Sequence, residues 1–92
     1  MDAAQAEYLS NRLRGLLVQL ADRLTNDQAV GTTELIDAGE FGLALEFIAD
    51  SLSEEERAVS EIERREMTLL VGEMGMDDRV QRALALCPLS LG

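Results

Sequence analysis

Carboxylates dominate the residues of this chain that could carry chemistry. Glu46 and Asp50 stand four apart and Asp77 and Asp78 are adjacent, spacings that suit an acid–base pair or a divalent-metal cradle. Neither pair has the company such chemistry needs. The chain has no histidine and one cysteine, Cys87, which removes histidine-based triads, Cys/His zinc sites, the histidines of a di-iron bundle and internal disulfides. With no lysine to acidify its thiol and Pro88 next in the chain, Cys87 reads as a small buried hydrophobe. A helix bearing Glu and Asp at four-residue spacing is ordinarily a solvated face. The sequence therefore predicts no enzyme, no metal and no cofactor.

Charge points elsewhere. The 18 Asp and Glu residues outnumber 8 basic ones, all arginine, for a formal charge of −10. Acid of that density repels phosphate and argues against direct nucleic-acid binding. The run Glu54, Glu55, Glu56 with its neighbours Glu61 and Glu63 is the densest part. Such a cluster keeps a domain soluble, or it presents a nucleic-acid-binding protein with the negative potential its own substrate would offer. On the second reading the contact residues are Glu46, Asp50, Glu54, Glu55, Glu56 and Glu61.

These side chains must be positioned by helices. Apolar residues at 6, 9, 13, 16, 17, 20 and 24 recur at three- and four-residue steps, predicting a first helix over residues 3–24. The same leucines could form a dimer seam, but an ordinary core helix needs as many, so a monomer is expected. Thr25 with Gln28, and Ser60 with Glu63, have the spacing of capping boxes and open further helices, over residues 27–38 and from 60 to about 74. Gly39 and Gly75 can take the left-handed conformation that ends a helix. Between them Phe41, Ala44, Leu45, Ile48 and Leu52 share one stripe of a helix, while Leu43 and Phe47 project to another side beside Glu46 and Asp50. A helix sandwiched between neighbours shows two apolar sides, so both are expected in the core, with outward-facing anchors rimmed by carboxylates as the alternative. Ile62, Met67, Leu69, Leu70, Val71 and Met74 give the next helix a broad apolar arc, and a last helix spans about 78–86.

At 92 residues and 47% apolar content, the chain suits a single domain over 1–92, all-α, a small bundle of four to five short helices with a frayed tail at about 87–92. Charged residues such as Arg23, Asp37, Glu46 and Asp50 interrupt every apolar run, so no membrane span is expected. The opening residues lack the cationic and apolar regions of a secretory signal, and the lone thiol suits a reducing compartment, so a cytoplasmic location is expected.

Two resemblances bear on function. Asp50-Ser51-Leu52 is similar to the tripeptide of acyl carrier proteins, where phosphopantetheine is attached to the serine, but there the serine begins a helix and here it falls near a helix end. The run from Glu34 to Leu52, including Asp37-Ala38-Gly39-Glu40-Phe41-Gly42-Leu43-Ala44-Leu45-Glu46, resembles the signature stretch of MafI-type immunity proteins, and Met74-Gly75-Met76-Asp77 matches their later Met-Gly-Leu-Asp-like ending. The likeness covers roughly residues 33 to 78. It implies an antidote that binds and neutralises a cognate secreted toxin, often a nuclease with a basic groove, without turning anything over. The alternatives are an acidic helical adaptor or dimerising subunit without a toxin and, behind it, a carrier domain acylated at Ser51.

Overall fold

The structure, a computed structural model, describes residues 1–90. Five α-helices follow one another: α1 (Ala3–Gln19), α2 (Asn26–Asp37), α3 (Phe41–Glu54), α4 (Glu61–Glu73) and α5 (Arg79–Leu84), with a 3-10 turn at Ala21–Arg23. Two residue pairs, β1 (Val59–Ser60) and β2 (Leu89–Ser90), make a short parallel bridge. The fold is a small all-α bundle. Among the described residues, no helix is long and apolar enough to cross a membrane.

Local sequence sets the helix ends. Thr25 Oγ1 accepts from the Gln28 amide while the Gln28 side chain accepts from the Thr25 amide, and Ser60 and Glu63 repeat the arrangement. Asp2 caps α1 by accepting from the Gln5 amide at 2.7 Å. At the C-terminal ends of α2, α3 and α4 a different closure appears three times, a nested pair of backbone bonds to the last-turn carbonyls. Gly39 and Gly75, at φ +76° and +64°, turn the chain out of α2 and α4. The third closure, after α3, places Glu56 at φ 50° where glycine would be unstrained. The Arg57 amide donates to Leu52 O at 2.9 Å and the Glu56 amide to Ser53 O at 3.1 Å, so the carbonyls of the last turn are satisfied despite the residue type.

Helix α3 is the centre of the bundle, packed against α2 and α5 most extensively and against α1 to a lesser degree. Its stripe of Phe41, Ala44, Leu45, Ile48 and Leu52 is buried as the spacing predicts, with Ala49 beside it. Leu9, Leu13, Leu16 and Leu20 cover it from α1, and Met67, Leu70 and Val80 close the other side. Four of the leucines a dimer seam would use, Leu9, Leu13, Leu16 and Leu20, are buried in this core.

Several expectations are corrected. The first helix ends at Gln19, not at residue 24. Arg23 draws the chain inward there, donating to Gln19 O and Ala58 O at 3.1 Å each and to both carboxylate oxygens of Glu63 at 2.5 Å. Ile62 and Leu69, read as part of the apolar arc of α4, are exposed, because α4 is covered on one side only. The expected fraying of the tail does not hold for residues 87–90. Cys87 is buried, Leu89 and Ser90 pair with β1, and Arg64 donates to the carbonyls of Leu84, Cys87 and Pro88 at 2.5, 2.6 and 3.1 Å. Residues 91 and 92, the rest of that expectation, lie outside the described residues. Burial raises the Cys87 thiol above its ordinary pKa, which keeps it an unreactive hydrophobe.

Candidate partner-binding surface

The outward side of α3 corrects the expectation for Leu43 and Phe47. Leu43 is 51% and Phe47 37% exposed, so neither belongs to the core. The reason lies in α2, which crosses α3 close enough that a Cβ on Gly31 would stand 3.1 Å from the Phe47 ring. Phe47 lies over that glycine with its other surface open, and Leu35 on the same helix completes an apolar floor. A recess of about 240 Å³ results, lined by Leu35, Leu43, Glu46, Phe47, Asp50 and Arg79.

Of the six expected contact acids, Glu46 and Asp50 are the two that flank this recess, one helical turn apart. They share Arg79, whose Nη2 lies 2.7 Å from Asp50 Oδ2 and whose Nη1 lies 3.9 Å from Glu46 Oε1. The Asp50 bond, with the fields of Asp50 and Glu46 behind it, raises the Arg79 pKa further. Sequence reasoning missed Arg79. Its place depends on α5 folding back across α3, which no local spacing announces.

Glu54, Glu55 and Glu56 occupy the last residue, the cap and the left-handed position at the C-terminal end of α3, all exposed. That end already carries the negative pole of the helix, where carboxylates are unfavourable. Among the described residues none of the three has an arginine within ion-pair distance. Three acids therefore stand where helix electrostatics opposes them, at a turn whose geometry favours glycine. Glu61 differs: it sits in the first turn of α4, where a carboxylate suits the helix, and it lines another depression with Arg64, Arg65 and Leu69.

Glu63, grouped with these acids by sequence, does not belong to the surface. Its side chain is 5% exposed, and the Arg23 fork, followed by the Ser60 amide, holds its pKa at about 2 against the opposing effect of burial. A second set of polar contacts ties α1 to α4, with Arg12 bonded to Glu66 and to the Tyr8 hydroxyl and Tyr8 donating to Glu73 at 3.0 Å. These groups join helices rather than await a ligand.

Ser51 is buried in the final turns of α3, with no approach for a transferase, and the carrier reading loses its attachment point. Among the described residues no group of three or more histidine, cysteine, aspartate or glutamate side chains is arranged to hold a metal ion. Compared with known proteins, the chain matches no protein-family model, no curated protein and no solved structure.

Proposed function

We propose that this chain is an immunity protein that binds and neutralises a basic protein toxin, a nuclease domain, in the cytoplasm of the cell that makes both. One observation carries the reading: an apolar pair, Leu43 and Phe47, stands exposed beside Glu46 and Asp50 on a chain of charge −10. Apolar anchors ringed by charged groups are the usual anatomy of a binding hot spot. The carboxylates of residues 54–56 extend the negative field from the same helix, steering a cationic partner toward it. The likeness of residues 34–52 to MafI-type immunity proteins adds support, since that stretch runs through both the core stripe and the exposed pair. The chain makes and breaks no bonds in this role; it blocks by occupancy.

The test is to express the toxin-domain gene expected immediately upstream, with and without this chain, and to follow cell survival and nuclease activity. Protection and a stable complex are expected. Replacing Leu43 and Phe47 together by alanine is expected to weaken the complex by about 30-fold or more, as removal of a hot spot does. A toxin bound equally well by the double variant, or a chain that protects against nothing, overturns the proposal.

A further inference from the structure

The recess on α3 already holds a guanidinium, and the two sides of that contact are unequal. Glu46 and Asp50 are only 19% and 33% exposed, fixed on the central helix, whereas the Arg79 side chain is 54% exposed and comes from the first turn of α5. The acids are the built half of the pair and the arginine is the loose half. Exposed ion pairs of this kind are weakly held and easily exchanged. Phe47 lines the recess beside the carboxylates, and an aromatic side chain next to two acids suits a flat cation that can stack and fork, arginine rather than lysine.

The geometry points to this recess as the seat of an arginine side chain presented by a basic partner protein, which displaces Arg79 from Asp50 as it docks. The partner's identity as a toxin rests on the function proposed above; the chemistry of the seat does not. Charge chooses the occupant. A second copy of a chain carrying −10 is repelled, and one internal arginine neutralises only half of the Glu46 and Asp50 charge. Displacement does not strand Arg79 either, because its side chain is already 54% exposed. Arg79 acts as an internal competitor that sets how tightly the seat is held and discriminates against weak cations.

The full chain, isotopically labelled, would be titrated with a blocked hexaarginine peptide and with hexalysine at physiological ionic strength. The amides of Leu43, Glu46, Phe47 and Asp50 are expected to shift most, and the Arg79 side-chain resonance to move toward that of a free arginine. Arg79→Ala, with its competitor gone, is expected to bind hexaarginine about three- to tenfold tighter. Its affinity for hexalysine should change by less than about twofold. Glu46→Gln with Asp50→Asn should bind hexaarginine about tenfold more weakly, with a melting curve confirming that the double variant folds.

An Arg79→Ala variant that binds hexaarginine no tighter, or shifts confined to residues 54–56, overturns the proposal. So does Arg79→Ala sedimenting as a dimer, which would make a second copy the occupant. These outcomes leave the antidote role standing, because no toxin takes part. A chain that protects no cell yet binds hexaarginine at this seat would instead defeat the role and spare the seat.

Discussion

Arg23 with Glu63, and Arg79 with Glu46 and Asp50, are built from the same chemical groups, yet in the first the carboxylate is enclosed and in the second the guanidinium stands in solvent. Glu63 is held by two guanidinium nitrogens and by a helix cap, and the backbone carbonyls of Gln19 and Ala58 and the Asp22 carboxylate occupy what remains of Arg23. Every polar group there is satisfied from within, so the pair locks the end of α1 to the start of α4. At Arg79 the arginine has no such carbonyls and only the two acids of α3 hold its exposed side chain. Seven of the eighteen acids have an arginine within 4.0 Å among the described residues, but partnership alone does not separate the structural ones from the available ones; enclosure does.

The contrast can be broken most forcefully at Glu63. Glu63→Ala takes from Arg23 its enclosed carboxylate and from α4 its capping side chain, and is expected to cost about 3 kcal/mol in urea unfolding. Acid tests the same pair without mutation. The folded-state pKa of about 2 lies below the ordinary 4.5, so the stability this group contributes is complete above 4.5 and is lost as pH falls from there toward 2. Melting temperature should decline across that window, and decline less in Glu63→Gln. If the two curves are parallel, Arg23 does not hold the charge.

The two sides of α3 offer the next comparison. Ile48→Ala, at a fully buried position, is expected to cost about 2 to 5 kcal/mol. Leu43→Ala, half in water, should cost less than about 1 kcal/mol by the same measurement. Equal losses would mean that Leu43 is core after all. Glu56→Gly should raise stability by about 0.5 to 1 kcal/mol by relieving the left-handed backbone while slowing capture of the proposed basic partner. Stability and binding would then move in opposite directions. Smallest is Arg79→Ala, whose melting temperature should match that of the parent.

How much of this was readable in the chain follows from range. Thr25 with Gln28, Ser60 with Glu63, and the closures at Gly39 and Gly75 involve residues at most five apart, and each appears where its spacing places it. The buried stripe of α3 was equally legible, because a 3.6-residue period needs no partner to be seen. What escaped depends on contacts across 20 to 40 residues: Arg23 reaching Glu63, Arg64 reaching Leu84 and Cys87, and Arg79 reaching Asp50. The same holds for Leu43, Phe47, Ile62 and Leu69. Periodicity shows that a face is apolar and cannot show whether a neighbour covers it.

Arg64 has a further consequence, for the order in which the molecule comes into being. By gathering the carbonyls of Leu84, Cys87 and Pro88 it fastens α5 through the residues that follow it. While a ribosome is still extending that stretch, α3 has already emerged with its flank for α5 bare, and Arg79 has nothing to anchor the helix that carries it. The bundle closes only when residues up to Pro88 are available, so Arg79 is the last of the groups lining the α3 recess to arrive.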